Sequence, residues 1–294
     1  MGKYRSSIRK IKDFVIFAGP CTFAFFTVMI MPFIFGIYLS LSDWNGVTNE
    51  YTFIGLKNYI AVFSDKQFWN SFIITLKFGF FGVILTNVIA FLLALLLSKK
   101  IRGTNFFRSA FFAPNLIGGI ILGLIWRFIF NEGLPSIGQN LNIPIIADSF
   151  LSSPQKARWA LIIGCVWHIS GYRRFIYIAG FTNIPKELIE AAEIDGATGF
   201  SKFRAIIIPM IMPSVTVCLF LTIQRAFMTY DINLALTQGG PFNSTELIAM
   251  RVYNKAFISE QYGIGQAQAF FLFIMVVVVT MIQVYLTKRA EVEI

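Results

Sequence analysis

The sequence predicts an all-α, polytopic membrane protein with six transmembrane helices, and three observations carry that reading. Of 294 residues, 56% are hydrophobic and only 14% charged, against roughly 45–50% and 25% in soluble domains. Six apolar stretches approach or exceed the roughly 20 residues that cross a bilayer: 14–38, 72–97, 109–130, 159–181, 211–230 and 264–287. The net charge of +10 is carried by basic residues in short segments between these stretches. That pattern fits a membrane surface and argues against nucleic acid as partner.

The first stretch follows Lys3, Arg5, Arg9, Lys10 and Lys12. A basic start suits a signal peptide, but the apolar run is too long for one and lacks a clear A-x-A site, so it reads as an uncleaved span. With that tail inside, the inner segments also hold Lys99, Lys100, Arg102, Arg108, Lys186, Lys202, Arg204, Lys288 and Arg289. The outer ones hold Lys57, Lys66, Lys156, Arg158, Arg251 and Lys255. Inner cations outnumber outer ones more than twofold, which places both termini in the cytoplasm. The chain then divides into a tail (1–13), a first helix with its external loop (14–71), a five-helix core (72–287) containing a cytoplasmic loop (182–210), and a second tail (288–294).

Several chemistries are disfavoured. Cys21, Cys165 and Cys218 all lie in apolar runs and form no C-x-x-C, so no disulfide framework is expected. A lone His168 cannot make a zinc motif such as H-E-x-x-H. The acids sit in loops rather than in spans, which counts against an ion-coupled secondary transporter. No paired acids or Ser–His arrangement marks an intramembrane enzyme. No G-x-x-x-x-G-K-[ST] occurs, so a phosphate cradle is absent and ATP has no evident site.

The segment 183–204 is the most informative. It carries Lys186, Glu187, Glu190, Glu193, Asp195, Lys202 and Arg204. At about 2.5–3.5 kcal/mol per charge at mid-bilayer, burying seven in lipid would cost on the order of 20 kcal/mol. It must therefore lie in water or against protein. Pro185 suits a first helical turn, Glu187 and Glu190 complement the helix N-terminus, and Leu188, Ala191 and Ala192 make one apolar stripe. Gly196 can take the left-handed conformation that ends a helix; a second short helix follows Thr198 or Gly199. Such a stripe either docks another polypeptide or rests on its own bundle.

These residues also carry a resemblance. Glu190, Ala191, Ala192, Gly196, Ile206 and Pro209 match the E-A-A, three residues, G, nine residues, I-x-L-P signature of the permease subunits of binding-protein-dependent ABC importers, with Ile208 in place of Leu. Further segments are similar to the carbohydrate branch of that family: 40–44 (S-L-S-D-W), 53–59 (F-I-G-L-K-N-Y), 123–128 (G-L-I-W-R-F) and 237–241 (T-Q-G-G-P). The resemblance implies the type I importer permease fold in the plasma (inner) membrane. It implies a non-catalytic subunit that forms half of a pathway for a sugar or oligosaccharide, with glycerol phosphate or an acidic sugar as alternative cargo. It implies no cofactor in this chain, ATP-Mg being bound by two separate ATPase subunits. It further implies a second homologous permease, expected to be a different chain, and an extracellular or periplasmic substrate-binding protein. Glu190, Ala191, Ala192 and Gly196, helped by Asp195, would form the contact with the ATPase.

Polar groups inside spans usually face a bundle interior or a water-filled cavity. Cys165, His168 and Tyr172 share one face of the fourth span; Thr222, Arg225 and Thr229, with Gln224 nearby, share one face of the fifth. These seven are the expected pathway residues, though Thr and Cys often bond only their own helix turn. Arg173, Arg174, Arg127 and Lys77 read as interfacial anchors. Pro209 and Pro213 mark either a hinge or the start of the fifth span. Gly265 and Ala269 form a close-packing pair, and 246–257 reads as an outer surface helix on which a binding protein docks.

Overall fold

In lipid every backbone amide must be satisfied within the protein, which favours helices. The computed structural model describes residues 12, 14–47, 50–98 and 103–291. It shows α1 (Gly19–Ser40), α2 (Lys57–Ser64), α3 (Lys66–Ser98), α4 (Thr104–Leu116), α5 (Gly119–Asn140), α6 (Pro144–Ala147), α7 (Pro154–Thr182), α8 (Lys186–Ile194), α9 (Gly199–Phe227), α10 (Asp231–Leu236), α11 (Ile248–Tyr253) and α12 (Tyr262–Lys288). The chain divides into two units: Met1–Asp65 with Val252–Phe271, and Lys66–Arg251 with Leu272–Ile294. The basic residues of the N-terminal tail up to Lys10, and Lys99, Lys100 and Arg102, lie outside the described residues.

In the first unit, α1 is apolar along its length, with Phe23, Phe25 and Val28 exposed as a lipid-facing helix requires. The 40–44 segment that follows is a staple. Asn58 donates to the carbonyls of Ser40 (2.9 Å) and Ser42 (2.7 Å), and the Ser40 hydroxyl pairs with that of Tyr59 at 2.7 Å. Ser42 bridges to Phe53, and the Asp43 carboxylate accepts from the Thr52 backbone N–H (2.6 Å) and hydroxyl (2.8 Å). These bonds hold Asp43 below its ordinary pKa, the backbone N–H of Thr52 contributing most. Gly263 lies so close that a Cβ there would sit 2.2 Å from the Ser42 carbonyl oxygen. Gly265 packs as its small size predicts: a Cβ would come within 2.6 Å of that of Ala256.

In the second unit, α7 is the central helix. Ser153 caps it, its hydroxyl accepting from the Lys156 backbone N–H, and Pro154 occupies its first turn. It packs against α3, α4 and α9. Among the described residues, five helices, α1, α3, α5, α9 and α12, are both long and apolar enough to span. The fourth predicted span corresponds to α7, whose 29 residues suffice in length but which carries His168, Arg173 and Arg174, all buried. A helix covered by protein rather than lipid need not be uniformly apolar.

The third predicted span is corrected. The helix breaks at Ile117 and Gly118, both with extended ψ, and resumes at Gly119. Pro114 lies in the last turn of α4. α5 then packs closely against α10: a Cβ on Gly123 would lie 2.6 Å from that of Ala235 and 2.8 Å from the Ile232 carbonyl oxygen. Gly123 opens the 123–128 motif, which thus encodes a helix contact. The start of the fifth span is also corrected. α9 begins at Gly199 rather than near 211 and runs through Pro209 and Pro213. A π-turn at Phe203–Ile207 loosens the ladder where the Pro209 ring would otherwise meet the carbonyl four residues back.

The expected outer surface helix at 246–257 is covered over its first half, while Tyr253 and Phe257 of its second half are exposed. Glu246, Leu247, Ile248 and Met250 are buried. Ser71 donates to the Glu246 carboxylate at 3.3 Å, and the Ile248 backbone N–H donates to the Thr75 hydroxyl at 2.8 Å. Leu247 packs in a core with Ile74, Phe78 and Leu161. Helical periodicity gave the element but not the neighbour that covers it.

Candidate functional site

The acidic segment forms α8, preceded by Pro185 and closed by Gly196 at φ +77°. Gly196 N–H donates to the Glu193 carbonyl (3.2 Å) and Ala197 N–H to that of Ala192 (2.8 Å), so the helix-end carbonyls are satisfied by a left-handed cap. Among the described residues, its chain neighbours aside, no atom lies within 4 Å of where a Gly196 Cβ would sit; glycine is required there for its backbone and not for room. Glu193 pairs with Lys202 of α9.

Glu190, Ala191, Asp195 and Gly196 are exposed, whereas Ala192 is buried against the protein. The expected stripe therefore divides: Ala192 seats the helix, and Leu188 and Ala191 face outward. Two further residues enlarge the outward face, Ile194 at 86% and Phe200 at 75% exposure. Sequence reasoning passed over both, although Ile194 follows Ala191 by three positions and was legible as the next step of the same face.

The second group lies between α7 and α9. Arg173, read as an interfacial anchor, is instead buried; its Nε donates to the Thr222 hydroxyl at 3.2 Å and its guanidinium lies 5.3 Å from the Tyr172 ring. Thr222 in turn donates to the Cys218 carbonyl (2.6 Å), and the Cys218 thiol donates to the Arg173 carbonyl (3.6 Å). A Cβ on Gly180 would lie 2.4 Å from the Ser214 hydroxyl, and this close crossing brings the two polar faces together. On the other side of α7, Tyr177 donates to Asn87 of α3 at 2.9 Å.

Arg174 is also not an anchor. It is fully buried and clamps α4 through the carbonyls of Phe107 (3.5 Å) and Arg108 (2.9 Å), stacked over Phe175. The reason is the contact at Gly171, where a Cβ would fall 1.8 Å from the Phe111 carbonyl oxygen. Helices that approach this closely leave no path for the side chain to reach lipid headgroups.

Among the expected pathway residues, Tyr172, Gln224 and Arg225 are exposed and His168 and Thr222 buried. Cys165 sits in the apolar core with Leu161 and Val166. Thr229 is corrected: α9 ends at Phe227, so Thr229 lies beyond the helix and bonds back to the Arg225 carbonyl at 2.8 Å. Arg127, expected as an anchor, lines a polar cavity of about 380 Å³ with Asn131, Ser149, Ser152 and Gln238. The 237–241 motif forms one wall of it, held by Thr237 and Thr245 hydroxyls 2.7 Å apart and by Asn233.

Comparison with known proteins agrees with this architecture. The model of the family described as binding-protein-dependent transport system inner membrane component matches residues 86–292. The probable starch degradation products transport system permease protein AmyD of Thermoanaerobacterium thermosulfurigenes is 43% identical, over 95% of this chain and 94% of its own. The multiple sugar-binding transport system permease protein MsmF of Streptococcus mutans is 34% identical, over 89% and 90%. The sn-glycerol-3-phosphate transport system permease protein UgpA of Brucella abortus is 32% identical, over 87% and 88%. A crystal structure of a bacterial ABC transporter involved in the import of the acidic polysaccharide alginate shares the fold, with a TM-score of 0.81, 19% identity and coverage of 97% of this chain and 99% of that one. The chain is a multi-pass membrane protein and belongs to the inner membrane components of binding-protein-dependent transport systems, a permease of the type I ABC importer fold.

Proposed function

We propose that this permease forms half of the pathway by which a sugar or oligosaccharide enters the cell, with both termini cytoplasmic and ATP-Mg handled by two separate ATPase subunits. One observation carries the mechanism: the exposed α8 and the polar residues Thr222, Gln224 and Arg225 are joined by a single helix. α9 is continuous from Gly199 to Phe227, about 43 Å at 1.5 Å per residue. The Glu193–Lys202 pair ties α8 to its first turn. A force on α8 is thereby delivered at membrane depth along one helix, whose π-turn at Phe203–Ile207 and prolines Pro209 and Pro213 lie between the two ends.

In this reading Glu190, Ala191, Asp195 and Gly196 face the ATPase, with Leu188, Ile194 and Phe200 as the apolar part of that contact. Ala192 seats the helix on its own bundle. A second, different permease completes the pathway, and a substrate-binding protein delivers cargo from outside to the polar cavity at Arg127 and Gln238. Tyr172 offers a ring for a sugar's C–H face; Gln224, Arg225 and His168 offer hydrogen bonds, with Thr222 held in place by Arg173. Cys165 and Thr229 support these faces from behind.

The sugar reading follows the AmyD and MsmF relatives. A second reading, an anionic cargo such as glycerol phosphate or an acidic sugar, is favoured by the exposed Arg225 guanidinium and by the UgpA relative. Uptake by the full transporter, competed with neutral malto-oligosaccharides or with glycerol 3-phosphate, separates the two. Competition only by amino acids would overturn both.

A further inference from the structure

Two apolar cavities meet at one lysine. The first, about 340 Å³, lies between α3 and the start of α7 and is lined by Phe78, Trp159, Lys77 and Arg158. The second, about 530 Å³, lies between α3, α9 and α12 and is walled by apolar side chains such as Phe227. Lys77 and Phe81 line both. The arrangement is therefore two apolar grooves that share a cationic point, with a second cation, Arg158, on the wall of the first.

The depth of that point follows from helix geometry. About 30 Å of hydrocarbon at about 1.5 Å per residue is about 20 residues. Counted back from Ser98, the last residue of α3, that distance reaches Phe78, the neighbour of Lys77. Lys77 thus lies at headgroup level on the opposite surface, beside an indole of the kind enriched there. Neither Lys77 nor Arg158 has a carboxylate partner among the described residues.

We propose that this is a binding site for one anionic diacyl phospholipid, its phosphate between Lys77 and Arg158 and its two chains in the two grooves. A protein surface laid over the same place without facing carboxylates would bury two unpaired cations, a cost that a lipid phosphate does not incur. The site is independent of the transported cargo, and under the orientation proposed above it belongs to the outer leaflet.

The test is native mass spectrometry of the assembled transporter, delipidated and titrated with phosphatidylglycerol or phosphatidylcholine. One tightly held phosphatidylglycerol is expected in preference to phosphatidylcholine. At about a factor of five per basic residue, Lys77→Gln with Arg158→Gln should weaken it about thirtyfold, while Lys77→Arg retains it. Equal retention of both lipids in the wild type, or undiminished phosphatidylglycerol binding in the assembled double variant, overturns the proposal. Should the double variant fail to assemble, Lys77→Gln alone, expected to weaken binding about fivefold, decides. Cross-linking of a residue at position 77 to another protein subunit in the membrane also overturns it.

Discussion

Replacing Gly171 with alanine adds one carbon where α7 lies directly against the α4 backbone, and the consequence can be worked through. The new Cβ would stand 1.8 Å from the Phe111 carbonyl oxygen and 2.9 Å from its carbon. Backbone cannot rotate away as a flexible side chain can, so α4 and α7 must part by about 1.5 Å to restore ordinary contact. That displacement takes the Arg174 hydrogen bond to the Arg108 carbonyl from 2.9 Å to about 4.4 Å, beyond hydrogen-bond range. Overpacking costs about 1–3 kcal/mol, and a hydrogen bond to a charged group contributes about 1.5–3 kcal/mol. A loss of about 3–5 kcal/mol is expected. The assay is the apparent melting temperature and recovered yield of the detergent-solubilised transporter, read by size exclusion after heating. Arg174→Lys should be destabilising by itself, and the Gly171→Ala, Arg174→Lys pair should cost less than the two single effects added, because both act on the same seat of α4. An unchanged melting temperature for Gly171→Ala, or strict additivity, would refute the reasoning.

Four other outcomes follow. Glu190→Lys should reduce co-purification of the ATPase and abolish coupled uptake while leaving the amount of permease in the membrane unchanged; retained association and transport would remove α8 from the coupling contact. Gly196→Ala meets open space, so its penalty is conformational, about 1–2 kcal/mol for a left-handed residue. Gly196→Asn should be milder, and equal transport loss for both in a dose-matched uptake assay would contradict this. Arg225→Ala should lower uptake several-fold with assembly intact, and normal kinetics would take Arg225 out of the pathway. For Asp43, the folded pKa lies below the ordinary carboxylate value. Its bond to Thr52 therefore stabilises the staple fully above the unfolded pKa and loses that contribution as pH falls through the folded one. Hydrogen exchange at the Thr52 amide should accelerate in that acid window, whereas Asp43→Asn should show fast exchange already at neutral pH; identical profiles would refute the link.

Much of this was legible in one dimension. Apolar runs of about 20 residues located α1, α3 and α12 and overlapped α5 and α9, because the transfer cost of a charge to lipid is large enough to appear in composition alone. The punctuation of α8 was equally local: Pro185 before it, acids in its first turn and a left-handed Gly196 after it act through backbone geometry that neighbours in sequence define. Tertiary structure decided whatever depended on which surface covers a side chain. Arg173 and Arg174 looked like anchors because hydropathy registers removal from water and does not distinguish lipid from protein as the cover. Gly171, by admitting the α4 backbone, and Gly180, by admitting the Ser214 side chain of α9, let both helices close on α7 and turned both guanidiniums inward. The burial of Glu246 to Met250, the break after Leu116 and the placement of Thr229 beyond the end of α9 have the same origin. Helical spacing fixes which residues share a face, and only the packing of one helix on another fixes what that face meets.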